Sequence, residues 1–220
     1  SIIRAEPVAS EGRLWVLSVD NRLYALNAKS GKIEWRHSAA GDALGTLSAP
    51  SPAYAGKLLA VPYASGELYT LKGDTGEERW YDNLSIATGN AGFSLPDIDA
   101  SPAIAYDKVF AGSAGGLFVA EDIRNGAREW EKHLTLADAP WVAGNMVFVL
   151  TDQGELAALL VWTGSIKWVT ALPRFNDAES RKHPVTWSGP VLAGGLLRVA
   201  GSNGELLSVS PEDGKIIDKT

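Results

Sequence analysis

Three histidines and no cysteine make up the whole supply of imidazole and thiolate metal ligands in this chain of 220 residues. His37, His133 and His183 stand in separate stretches and in none of the spacings that gather ligands round a metal ion, so they read as ordinary surface histidines. The missing cysteine excludes disulfides, thiolate metal sites and a cysteine nucleophile. Two acidic residues are better placed for recognition, because Asp97 and Asp99 alternate around Ile98 just before a strand that starts at Pro102. On extended backbone that alternation points both carboxylates one way, towards basic groups on another molecule. The same pair would serve as acceptors of backbone N–H bonds in an Asx turn before the proline, and both readings stand. The segment Arg174-Phe175-Asn176-Asp177-Ala178-Glu179-Ser180-Arg181-Lys182-His183 reads as a long solvated loop, although long connections are also where partners bind.

The frame that must position these groups is written in a repeated spacing. A proline is followed 24 residues later by a glycine at Pro7/Gly31, Pro52/Gly76, Pro102/Gly126, Pro140/Gly164 and Pro190/Gly214. A tryptophan closes four of the five units four residues after the glycine, at Trp35, Trp80, Trp130 and Trp168, and Asp218 takes that place in the fifth. One supersecondary unit is therefore repeated, over approximately residues 7–35, 52–80, 102–130, 140–168 and 190–218. Inside each unit, short apolar runs alternate with Gly- and Asx-bearing turns, which predicts four strands joined by hairpins, the fourth ending on the tryptophan. The third runs, such as Leu68-Tyr69-Thr70-Leu71 and Leu117-Phe118-Val119-Ala120, are apolar on consecutive positions, so their sheet is covered on both faces.

An antiparallel four-stranded sheet buried on both faces and recurring every 38 to 50 residues is a propeller blade. The fold class expected is therefore all-β, a β-propeller, with 1–220 forming part of one propeller domain. The four closing tryptophans are expected to bridge to the adjacent blade, ring buried and N–H on a backbone carbonyl. Trp187 reads as a wedge between blades or a channel-lining ring, the wedge preferred, and Trp15, Trp141 and Trp162 read as packing. Five blades could close on themselves or be consecutive blades of a larger ring. The chain begins at Ser1 and enters its first repeat by Pro7, a pattern expected of a sequence with something removed upstream.

Composition narrows the function classes. A formal net charge of -6 leaves no basic stripe to neutralise phosphates, which argues against nucleic acid. No apolar stretch approaches the length needed to span a bilayer as a helix.

The repeat resembles the PQQ-type propeller repeat, whose Leu-Tyr-Ala-Leu-Asp-x-x-Thr-Gly-x-x-x-Trp pattern is nearly reproduced by Leu23 to Trp35 and Leu68 to Trp80. Between the repeats, Leu44-Gly45-Thr46-Leu47-Ser48-Ala49-Pro50 and Asp97-Ile98-Asp99-Ala100-Ser101-Pro102 resemble the connecting segments of the BamB family of outer-membrane β-barrel assembly lipoproteins. That resemblance implies an eight-bladed ring, of which this chain would be about five blades. It implies a non-enzymatic scaffold, without a cofactor, on the periplasmic face of the outer membrane, held there by a lipid anchor absent from this chain. It also implies docking to BamA and other assembly subunits, and possible contact with unfolded outer-membrane proteins. The docking residues it points to are Leu44, Leu47, Asp97, Ile98 and Asp99, while Gly45 stands where the family carries an arginine. Two alternatives come from the same repeat: a periplasmic sensor or binding module, and a quinoprotein dehydrogenase fragment using PQQ and calcium. Against the second stand the missing vicinal cysteines and the lack of a clustered carboxylate–amide set.

Overall fold

The computed structural model describes residues 2–39, 50–85, 98–177 and 182–220. These are all-β: five four-stranded antiparallel sheets and one two-stranded sheet, with every sheet built from strands consecutive in the chain. The first sheet holds β1 (Val8–Ser10), β2 (Arg13–Ser18), β3 (Arg22–Asn27) and β4 (Ile33–Ser38). The second holds β5 (Ala53–Ala55), β6 (Leu58–Pro62), β7 (Glu67–Lys72) and β8 (Glu78–Asn83), and the third β9 (Ala103–Ala105), β10 (Lys108–Gly112), β11 (Leu117–Asp122) and β12 (Arg128–His133). These three make one compact unit, up to Thr135. A second unit, from Leu136, holds the fourth sheet, β13 (Trp141–Ala143), β14 (Met146–Leu150), β15 (Glu155–Leu160) and β16 (Ile166–Ala171). It also holds the pair β17 (Phe175–Asp177) and β18 (Lys182–Pro184), and the fifth sheet, β19 (Trp187–Ala193), β20 (Leu196–Gly201), β21 (Leu206–Val209) and β22 (Ile216–Lys219).

The third strands of the second, third and fourth sheets are buried on successive residues, Leu68 to Leu71, Leu117 to Glu121 and Leu156 to Leu159 being inaccessible or nearly so, whereas β3 alternates buried and half-buried positions. Sheet packs on sheet within each unit. Leu59, Val61 and Leu71 share a core with Trp15, Leu17 and Leu23, and Phe148 and Leu156 share one with Leu197 and Val199. The fourth strands differ from the sequence expectation, because each tryptophan is the third residue of six rather than the last. Beyond it the strand alternates exposed and half-covered positions, as in Arg36-His37-Ser38. An apolar-run criterion stops at the indole, whereas the hydrogen-bond ladder to the third strand continues.

Every fourth strand carries its irregularity in the same place. Trp35, Trp80, Trp130 and Trp168 lie opposite Ala25, Thr70, Ala120 and Ala158, and the register shifts at the residue just before each tryptophan. Asp218 lies opposite Ser208 with the same shift. A small residue across the ladder leaves room for the ring, and a bulge beside it increases the local twist.

The repeated glycine and the repeated tryptophan meet across consecutive sheets. A Cβ placed on Gly76 would fall 2.6 Å from the Trp35 ring, one on Gly126 2.7 Å from the Trp80 ring, and one on Gly214 2.5 Å from the Trp168 ring. The Trp80 indole N–H donates to the Ile123 carbonyl at 2.7 Å and that of Trp168 to the Pro211 carbonyl at 3.0 Å. Trp130, nearly buried, packs on Phe110 and Phe118.

Two further segments depart from the sequence expectation. The described flanks of the 174–183 connection are a hairpin, Phe175 pairing with Pro184 and Asp177 with Lys182, rather than a loop. Pro190 lies inside β19 instead of before it. The strand tolerates the missing N–H because it is an edge strand with a register shift between Ser188 and Val191.

Gly126→Ala and Gly31→Ala separate the two demands on these glycines. Both residues have positive φ, +73° and +68°, but a Cβ on Gly31 meets nothing within 4 Å. Each variant bears the left-handed backbone cost of about 1 kcal/mol, and Gly126→Ala should lose about 1–3 kcal/mol more by displacing Trp80. Urea unfolding of the two variants beside the parent measures the difference, and equal losses would mean that the ring contact contributes nothing.

Candidate functional site

Of the expected docking segments, the stretch from Ile98 to Pro102 belongs to the described residues. Ile98 is fully buried, in a core with Leu84, Val109 and Leu117. Its side chain thus anchors the segment and is not offered to a partner, which corrects its reading as a contact residue. A β-branched side chain next to buried Ala100 is worth more inside the sheet stack than on the rim. Ser101 Oγ accepts the Ser51 N–H at 2.8 Å, tying the start of the third sheet to the start of the second. Between these two fixed points Asp99 is exposed. Leu44, Leu47 and Asp97 lie outside the described residues.

The histidines divide. His133 and His183 are exposed, in keeping with a surface reading, but the His37 side chain is only 8% exposed. It shares the covered phase of β4 with Trp35, two residues back, and so faces the second sheet. Its Nδ1 lies 2.6 Å from the Tyr63 hydroxyl and its Nε2 2.9 Å from Glu78, with Tyr69 edge-on to the ring. Burial pushes the Tyr63 phenol well above its ordinary range, so it stays an un-ionised hydroxyl in a hydrogen-bonded seam with Glu78 at its wet end. Among the described residues, no three His, Asp or Glu side chains come close enough together to hold a metal ion.

A second seam, invisible to a motif search, joins the second and third sheets. Glu121 is wholly buried on β11, opposite Arg128 on β12. Arg128 Nε lies 2.6 Å from Asp82 but 3.5 Å from Glu121, so the one cation is committed to Asp82. Burial first, and then the neighbouring Asp82 carboxylate, push the Glu121 carboxyl up to about 9. Burial works against ionised Asp82, yet the hydrogen bond from Arg128 and the adjacent Glu121 carboxyl outweigh it and hold Asp82 below its usual range. The sequence signal was a lone glutamate ending an otherwise apolar run in a strand covered on both faces. Perturbed carboxylates often mark catalysis, but this one is wholly buried in a sheet-to-sheet contact.

Trp15 is buried, stacks on Tyr54 and donates to the Gly73 carbonyl at 3.2 Å. Trp187 is 6% exposed and donates to the Pro173 carbonyl at 2.8 Å. Trp141 and Trp162 depart from the packing expectation, at 37% and 57% exposed. Trp162 occupies the turn position before Thr163-Gly164, where the hairpin fixes the backbone but leaves the side chain outward.

Comparison with known proteins decides the family. A family model described as outer membrane protein assembly factor BamB matches residues 1–170. The chain belongs to this family. Among curated BamB proteins, that of Shigella dysenteriae serotype 1 is 27% identical over 249 aligned positions, covering 94% of this chain and 61% of the relative. The chain therefore spans about three fifths of that BamB protein's length. Among solved structures, BamB from Moraxella catarrhalis superposes with a TM-score of 0.80 at 19% identity, over 97% of this chain and 62% of that one. Quinohemoprotein alcohol dehydrogenase from Comamonas testosteroni reaches a TM-score of 0.75 at 17% identity, over 99% of this chain and 42% of its own. Likeness at such identities establishes the fold, a β-propeller of four-stranded blades, and no more.

Glu121→Gln tests the second seam. The ordinary glutamate value is 4.5 and the folded value about 9. Between them the folded chain holds a proton that the unfolded chain has lost, so parental stability falls as pH rises through that window. Glutamine removes this slope. Relative to the parent, the variant should gain about 2–4 kcal/mol between pH 5.5 and pH 8.5, read from urea unfolding at both values. Parallel pH profiles would mean that Glu121 is ionised in the fold.

Proposed function

We propose that this chain is a non-enzymatic scaffold part of the outer-membrane β-barrel assembly machinery, acting on the periplasmic side through the rim of one propeller. The observation that carries this reading is the family match, which spans residues 1–170 and so includes both connecting segments. Within it, docking to BamA runs through the segments at Leu44–Leu47 and Asp97–Asp99. Support for the second comes from its construction: Ile98 and Ser101 hold the backbone while Asp99 faces solvent. A carboxylate fixed in this way contributes to partner choice and encounter rate more than to raw affinity, and its effect weakens with salt. The quinoprotein alternative gains nothing from its fold likeness, since propellers with and without cofactors share these blades. No helix among the described residues is long and apolar enough to cross a membrane.

Asp97→Arg combined with Asp99→Arg should abolish co-purification with the periplasmic repeats of BamA and leave the melting temperature within about 2 °C of the parent, because exposed charges contribute little to stability. Retained co-purification would remove these aspartates from the docking surface.

A further inference from the structure

The second unit contains a cavity of about 190 Å³ beneath the β17–β18 hairpin. Its walls come from the β14–β15 turn, with Thr151 and Asp152, from Arg174 and Phe175 at the start of the hairpin, and from Val185 and Trp187 where the fifth sheet begins. The walls are fixed by the backbone. Val185 N–H donates to the Arg174 carbonyl at 2.9 Å, Thr151 N–H to the Glu155 carbonyl at 2.9 Å, and the Trp187 indole N–H to the Pro173 carbonyl. A site whose rings and backbone are already locked loses little entropy when occupied.

Size and chemistry select the ligand. Sites for cofactors and similar small molecules run to about 300–1,000 Å³, so this cavity has room for one large side chain rather than a cofactor. Its lining pairs a tryptophan and a phenylalanine with an arginine, the residue types that concentrate binding energy at protein interfaces. Arg174 is exposed and forms no ion pair among the described residues. Lys182 and His183 stand exposed on the adjoining strand, and His183 has a φ of +53°, uncommon for a residue with a side chain. Asp177 lies opposite Lys182 across the hairpin ladder, which leaves Arg174 as the cation of the lining, beside Asp152.

We propose that this cavity recognises an extended peptide segment, which inserts one apolar side chain into it and sets an adjacent carboxylate side chain against Arg174. The site lies wholly within the second unit and is independent of the docking segments at 44–47 and 97–99, so loss of one leaves the other in place.

The probe is an end-blocked peptide, acetyl-Ser-Thr-Gly-Phe-Glu-Thr-Ser-Gly-amide, titrated into the ¹⁵N-labelled chain, with its Phe replaced by Ala and its Glu by Lys as comparators. The parent peptide should shift the Trp187 indole N–H resonance saturably, and each comparator should bind about tenfold more weakly. Arg174→Glu should reverse the preference in favour of the Lys peptide. Ala137→Phe, which fills the cavity from a lining position, should abolish the shift without lowering the melting temperature. No saturable shift up to about 2 mM, equal binding of all three peptides, or indifference to both substitutions would overturn the proposal.

Discussion

An indole lying flat on a glycine joins one sheet to the next in both units. Trp35 covers Gly76, Trp80 covers Gly126 and Trp168 covers Gly214, so the two landmarks of the repeat are halves of one contact made by neighbouring repeats. Neither residue can change alone. The ring needs a surface with no Cβ, a small residue across its own ladder and, at Trp80 and Trp168, a carbonyl for its N–H. This mutual requirement explains why the distance from proline to glycine to tryptophan is constant while the connections between repeats vary in length.

The seams also carry individual chemistry. Between the first and second sheets, His37 links buried Tyr63 to Glu78 at the edge. Between the second and third, Arg128 is shared unequally by Asp82 and Glu121, which leaves a neutral carboxyl in the interior. Such groups are costly to bury unpaired, so each restricts which sheet can stand next to which. A stack of near-identical modules gains a preferred order in this way.

How far these features were legible in the sequence follows from their range. Blade identity was readable because the Pro, Gly and Trp landmarks and the consecutively apolar third strands are local patterns. Strand ends were not, since the fourth strands continue past the tryptophan on hydrogen bonds alone. His37 reads as a surface residue in sequence because its partners Tyr63 and Glu78 come from the next repeat, and Ile98 enters the contact set only through the family resemblance, which marks a segment and not the member of it that faces the core. The hairpin at 174–184 was hidden by its charge, and the cavity beneath it is assembled from three stretches that no single window contains.

The burial of Ile98 has a bearing on how a neighbouring molecule would feel this surface. A side chain locked in the interior leaves the adjacent backbone little freedom to surrender, so the main chain that carries exposed Asp99 is set in advance. Were a partner to engage there, its capture would resemble a key meeting a fixed ward more than a hand closing on a rope. Force applied there would pass straight into the packing between the second and third sheets instead of being absorbed by a slack tether.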